Sequence, residues 1–475
     1  MKRKHIQAFL RTPFLLLVHG FKNLPSALSG VLAVFILFGS CGKGPTPKSQ
    51  KEAVFTDFIA SVSTAKFEDY SKRQNARVES ADEFEKMRKH ILSLYEGVTP
   101  VNTFLGTDNE FVDCVPIDQQ PGLRNSKTGP QKLQREAPKV SEREVQQGPG
   151  GADSGRAPKE RQIADLTLKP GTRDRFGKEM YCQLETIPMR RLTLEQMTRF
   201  RTLKDFFSKG GHPFGRGQGT HDGPRLDLPG DPDHYYAAGF QTVNNFGGDS
   251  WLNLWSPNVS SHRMSLSQIW VSGGDGAGKQ TVEAGWQVYP DKWGSNNAAL
   301  FIFYTPNNYD DGCYNLDCSG FVQVANNIYL GSGFDHYSSR DGGQWGFNIQ
   351  VKRHTDGNWW LFYRGAGNYI AFGYYPHSLY GDGILARNAT RIGWGGEDSG
   401  EPTALQMGSG ALPNEGWGRA AYHDVVFYID TNTVSQWPSL SAVEIPSSNC
   451  YDTDISNASA NRSKTYLYYG GPRCN

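Results

Sequence analysis

Beyond Gly210 the helical signals cease, and apolar and aromatic residues alternate with polar ones between Gly, Asn and Asp turns. Segments 235–243, 266–272, 281–289, 299–305, 320–330, 344–353, 358–363, 368–375, 390–395 and 420–429 read as short strands. Successive side chains of a strand point to opposite faces, so a two-residue period buries one face and frees the other. So many strands without intervening helices predict an all-β unit over residues 211–475, an antiparallel sandwich of two sheets.

The alternation is strictest in Thr281-Val-Glu-Ala-Gly-Trp-Gln-Val-Tyr289. Val282, Ala284, Trp286 and Val288 form one apolar face, and Trp286 is expected in the core. Glu283 shares the other face with Gly285, Gln287 and Tyr289. A glycine beside a carboxylate removes bulk where another group approaches closely, so this reads as a binding face; the alternative is a solvated strand with an ordinary surface glutamate. Trp359 and Trp360 are adjacent and point opposite ways, which predicts one in the core and one lining a groove.

Several function classes find no support. The formal net charge of +1 gives no electrostatic case for nucleic acid. Neither a Gly-x-Ser-x-Gly elbow nor a His-Glu-x-x-His motif occurs. Histidines such as His212, His221 and His262 sit in loop-like text, and no Cys-x-x-Cys pair suggests zinc. No metal or cofactor is expected.

At 475 residues the chain exceeds what a single core usually fills. Residues 1–40 read as an export signal: Lys2, Arg3 and Lys4 precede apolar stretches, and the last run, Ala27 to Phe38, is short for a membrane span. Its Phe-Gly-Ser-Cys ending resembles a lipoprotein cleavage box that would lipidate Cys41, with a plain signal or an uncleaved anchor as alternatives. An extracellular or cell-envelope location follows. With Cys41 set aside, the even remainder suits an oxidising compartment. Cys313 with Cys318, Cys450 with Cys474 and Cys114 with Cys182 are the candidate disulfides, their connectivity open.

Residues 41–124 show apolar spacing of helical period over 51–97 and β-like text from Asn102. Residues 125–178, dominated by Gly, Pro, Lys, Arg, Glu and Gln, are expected to form a linker unable to order itself and easily cut. A helix-containing connector, 179–210, carries a capping-box signature at Thr193 and Gln196.

A set of motifs then occurs in one order: Ser267-Gln-Ile-Trp-Val271, Val282-Glu-Ala-Gly-Trp-Gln-Val-Tyr-Pro290, Gly312-Cys-Tyr-Asn-Leu-Asp-Cys-Ser-Gly-Phe-Val-Gln323, Gly357-Asn-Trp-Trp-Leu361, Gly373-Tyr-Tyr-Pro376, Trp394-Gly-Gly-Glu397 and Gln406-Met-Gly-Ser-Gly410. Over residues 220–475 the chain resembles the neprosin family of glutamic peptidases. The resemblance implies a sandwich whose concave face holds two catalytic glutamates, cleaving polypeptides in acid, often after proline. Those glutamates match Glu283 and Glu397. It also implies that the N-terminal part, residues 51–210, resembles an inhibitory activation segment.

Gln287 and Gln268 are candidates to donate hydrogen bonds to a substrate carbonyl or oxyanion, with Tyr289 a further polar group on that face. The Gly395-Gly396 pair before Glu397 suits a β-bulge. A carbohydrate-active or carbohydrate-binding sandwich is the competing reading.

Overall fold

The computed structural model describes residues 49–124, 129, 131–139, 148–149, 161–211, 234–400, 405–445 and 450–472. The expected export signal, Cys41, Cys474, His212 and His221 lie outside the described residues.

The N-terminal part starts with helices α1 (Phe55–Thr64), α2 (Phe67–Tyr70) and α3 (Ala81–Leu94). Ser80 caps α3 by accepting a hydrogen bond from the Glu83 amide, satisfying a donor that the first turn leaves unpaired. Phe84, Met87, Ile91 and Leu94 recur at helical spacing and are buried together. Strands β1 (Asn102–Leu105), β2 (Phe111–Pro116) and β4 (Thr186–Arg190) form a small antiparallel sheet in the order β1-β2-β4, whereas β3 (Arg161–Ile163) pairs elsewhere. The Cys114–Cys182 disulfide ties β2 to the approach of β4, with Cα atoms 5.3 Å apart. The helix expected from Thr193 is two short turns, α4 (Leu194–Met197) and α5 (Leu203–Phe207). Thr202 and Asp205 form a full capping box that starts the second one afresh.

The remaining strands are β5 (His234–Asn253), β6 (Met264–Gly273), β7 (Gln280–Val288), β8 (Ala299–Thr305), β9 (Cys313–Tyr314), β10 (Val322–Gln323), β11 (Gln344–Arg353), β12 (Trp359–Arg364), β13 (Ile370–Tyr375), β14 (Ala389–Ser399), β15 (Ala421–Asp430), β16 (Ser435–Gln436), β17 (Ser441–Ile445), β18 (Asp452–Ser456) and β19 (Thr465–Gly470). They form a continuous curled sheet in which β5, 20 residues long, serves two layers. Its first half pairs with β14 and β17, and its second half pairs with β11 and β15. One layer runs β17-β5-β14-β6-β7-β8-β9 and the other β10-β13-β12-β11-β5-β15-β19-β18. Trp286, Trp394, Phe347, Ile349 and Trp359 belong to one buried core.

Three expectations need correction. Residues from Arg161 onward, inside the stretch expected to stay unordered, pack on the sandwich: β3 pairs in parallel with β11, Ala164 and Leu166 are buried, and Arg161 pairs with Asp424 at 2.8 Å. This stretch borrows order from the sandwich rather than burying a core of its own. Segment 320–330 holds only two strand residues, because the Gln323 amide donates to the Ala325 and Ile328 carbonyls at 3.0 and 2.7 Å and turns the chain. Neither tryptophan of the Trp359-Trp360 pair lines an open groove. They do point opposite ways, but Trp360 is covered in a second cluster by Leu123, Phe362 and Tyr374.

Candidate active site

Strand register sets out the site. Glu283 on β7 lies opposite Trp270 of β6 and Phe303 of β8. Glu397 on β14 lies opposite Leu266 of β6 and Tyr236 of β5. Between these rows runs a third, Gly285, Gln268 and Gly395. All share one face because directly paired residues point the same way. The two carboxylates therefore lean toward each other over a floor containing two glycines. Pairing of β14 is continuous from Arg391 to Ser399 on both sides, and its register shift falls at Ala389/Arg391 rather than at Gly395-Gly396. The expected bulge at the glycine pair is absent.

Gly285 has another purpose than the one read from sequence. A β-carbon there would meet Ser267 O at 1.9 Å, so the group approaching closely is the neighbouring strand.

Both glutamates are fully buried, and each is surrounded by donors. Glu283 Oε2 accepts from Gln268 Nε2 at 2.7 Å. Its Oε1 accepts from Thr281 Oγ1 at 2.9 Å and from the Tyr309 hydroxyl at 2.8 Å. Glu397 Oε1 lies 2.8 Å from His234 Nδ1 and accepts from the Tyr236 hydroxyl at 3.4 Å. The ammonium of Lys209, also fully buried, bridges the pair: it lies 2.7 Å from Glu283 Oε2 and donates a short hydrogen bond to Glu397 Oε2. Burial opposes the charge on Lys209, but Glu283 and Glu397 outweigh it and hold the lysine well above its usual range. Burial would likewise raise the Glu397 carboxyl; the Lys209 ammonium and His234 instead hold it below the usual carboxylate range.

Lys209 belongs to the N-terminal part, directly after α5. It is delivered by anchored neighbours. Lys292 Nζ, on the short helix α6 (Pro290–Trp293) that follows β7, donates to Phe206 O at 3.0 Å and lies 3.3 Å from the Phe206 ring centroid. Lys292 also pairs with Asp317 at 2.8 Å, beside the disulfide Cys313–Cys318.

The other sequence candidates are spread around this centre. Gln287 stands one step away, its amide donating to the Tyr314 hydroxyl at 3.1 Å and to Met264 Sδ at 2.8 Å. Tyr289 sits past the end of β7 and packs edge-on against Phe200, with ring centroids 5.9 Å apart, away from the carboxylates. His262 pairs with Asp291 at 2.6 Å, outside this cluster. Trp286 is in the core, its ring nitrogen donating to Asn253 O at 3.0 Å. Cys450 is disulfide-bonded; its candidate partner Cys474 lies outside the described residues.

Sequence reasoning missed Lys209, His234, Thr281 and Tyr309. Thr281 was findable, two residues before Glu283 on the same face. Lys209, His234 and Tyr309 carry no local signal, since each arrives from a different part of the chain.

Residues 261–472 match the family model described as Neprosin. Among solved structures, a scytalido-glutamic peptidase with a transition-state analogue inhibitor aligns at TM-score 0.30 and 12% identity, covering 50% of this chain and 98% of that one. SCP-B, a member of the eqolisin family of peptidases in complex with the tripeptide Ala-Ile-His, aligns at TM-score 0.27 and 8% identity, covering 51% and 98%.

Proposed function

We propose that this chain, a glutamic-type endopeptidase whose residues 261–472 form a neprosin-family domain, works in acid through Glu283 and Glu397 and is made as a zymogen locked by Lys209. The observation that carries the reading is that both carboxylates, two strands apart, converge on one nitrogen atom. A water molecule in the place of that nitrogen would touch both. Amide hydrolysis needs a base to take a proton from water and an acid to protonate the leaving nitrogen, and two carboxyls sharing one proton supply both. Such a pair resists double ionisation, which confines activity to the acid side.

Lys209 makes the uncut chain incapable of this chemistry. Its ammonium fills the water position and favours both carboxylates in their ionised form, leaving no proton for the leaving group. Residues 203–211 are the cover, and the linker upstream of Arg161 is where cutting starts its removal. The Cys114–Cys182 bond spans that linker, so the two ends stay joined after a cut. Export, with or without a lipid on Cys41, suits an enzyme that works on polypeptides outside the cell or in its envelope. Cleavage after proline is the specificity that the family resemblance suggests.

The test is cleavage of an unfolded, proline-containing protein from about pH 2 to 8 by acid-treated protein, with Glu283→Gln and Glu397→Gln beside it. Acid-dependent fragments lost in both variants support the reading, and the new C-termini report specificity. Activity peaking in alkali, or surviving both substitutions, would sink it.

A further inference from the structure

The two glutamates are not equivalent in their surroundings. Glu283 is held by three neutral donors, the Gln268 amide and the hydroxyls of Thr281 and Tyr309. Glu397 meets an imidazole, His234 Nδ1, at 2.8 Å, with both side chains fully buried. Both acquire the Lys209 ammonium in the covered state, so among the described residues the charged partner that survives its departure is His234, on Glu397. Among the described residues, the other titratable groups around Glu397 are Tyr236 on β5, Tyr314 on β9, Glu283 across the floor and Asp398 beside it on β14. Tyr236 and Tyr314 are neutral phenols in acid. Asp398, on the opposite face of the strand, is fully buried and is raised by burial to about 7, so it is uncharged in acid too. Among the described residues, His234 is the one cation-forming group left in contact with the pair.

We propose that His234 is a positioning residue that decides the division of labour: as an imidazolium it keeps Glu397 ionised, so Glu397 is the base and Glu283 the acid. This rests on the peptidase reading and deepens it. At the acid pH where the pair works, an imidazole against a carboxylate carries a proton, and an opposite charge in contact favours the carboxylate. Of the two carboxyls, Glu397 alone then keeps a cationic contact among the described residues, which leaves the shared proton to Glu283. Glu397 takes a proton from water while the water oxygen bonds to the scissile carbonyl carbon. Glu283 gives its proton to the leaving nitrogen as the C–N bond breaks. The products are a carboxylic acid and an amine, and the cycle closes when the proton now on Glu397 passes to Glu283.

The place of His234 in the chain fits this task. It lies at the first residue of β5, across from Ser399 of β14, and a β-carbon on Gly210 would come within 3.1 Å of its Cε1. The segment that carries Lys209 thus passes directly over the imidazole.

The experiment is the pH profile of kcat/KM for matured protein carrying His234→Gln or His234→Arg, with Glu283→Gln as reference. The Gln variant keeps a hydrogen-bond donor and loses the charge; its acidic limb should move up by about one pH unit or more, whereas the Arg variant should keep the limb low. A Gln profile that superimposes on the wild type, or that drops by the same factor at every pH, would overturn the assignment. Carboxyl-carbon NMR of the matured wild type gives a second reading independent of variant folding: on raising the pH, Glu397 should ionise before Glu283, and the reverse order would overturn the proposal. The peptidase reading fails separately, if Glu283→Gln cleaves as well as wild type.

Discussion

A β-carbon added to Gly210 would lie 2.5 Å from Ser399 Oγ, so the N-terminal segment crosses the site with its backbone pressed onto β14. Gly210 also has φ +77°, a conformation that costs other residues roughly 1–2 kcal/mol. Gly210→Ala should therefore loosen the cover by about five- to thirty-fold while leaving Lys209 in the sequence. Acid activation of the variant, followed as the lag before substrate cleavage, should be shorter than in wild type; an unchanged lag would show that the contact is not what holds the segment down.

Release of the cover should be driven by acid, and the signs identify the lever. Lys209 is held above its ordinary pKa, so its contribution is fully present below the ordinary lysine value and fades only as pH rises through the raised one, beyond the working range. Glu397 is held below its ordinary value, so its contribution is present above about pH 4.3 and fades as pH falls through the lowered one. Hydrogen exchange at residues 206–211 should accelerate below about pH 4. Lys209→Met leaves two buried carboxylates facing each other, which costs about 3–5 kcal/mol, and its exchange should already be fast near neutrality.

The Cys114–Cys182 bond predicts a simple readout of processing. After a cut in the stretch between residues 125 and 160, the chain should run as one band without reductant and as two with it. Cys114→Ser with Cys182→Ser should shed the N-terminal fragment, apart from its non-covalent contacts, as soon as the cut is made. Two bands without reductant in the wild type would contradict the intact bond.

Tyr309 donates to Glu283 Oε1 at 2.8 Å from a loop held at φ +63°. Tyr309→Phe removes one of three neutral donors to that carboxyl; against the protonated Glu283 of the working pair such a bond is worth about 0.5–1.5 kcal/mol, and against the ionised Glu283 of the covered form about 1.5–3 kcal/mol. A fall in kcat/KM of roughly two- to tenfold is expected, with a lower melting temperature of the covered form. Wild-type kinetics in the Phe variant would remove Tyr309 from the site.

Much of the architecture is legible in the sequence. The alternation through 281–289 separates Glu283 from Trp286, and the structure puts the first at the lysine bridge and the second in the core between layers. The strands after Asp430 were missed because they are short and, in Ser435–Gln436, Ser441–Ile445 and Asp452–Ser456, carry too few apolar residues to show a period, and they take their pairing from β15, β5 and β19. The packing of residues 161–166 was missed for the same reason, since a segment poor in apolar residues gives no sign that another surface will supply them.

What the sequence by itself determined is what depends on near neighbours: which residues share a face, that the C-terminal part is a sandwich, that cysteines occur in numbers fit for pairing, and, through ordered motifs, which two glutamates to watch. What only the tertiary structure decided is which charges meet. Lys209 lies 74 residues from Glu283 and 188 from Glu397 along the chain, and His234 lies 163 from Glu397. Periodicity carries information over a few residues, whereas a Coulomb contact depends on distance in space alone. The Lys209 bridge between the two carboxylates and the His234 contact with one of them are therefore properties of the fold.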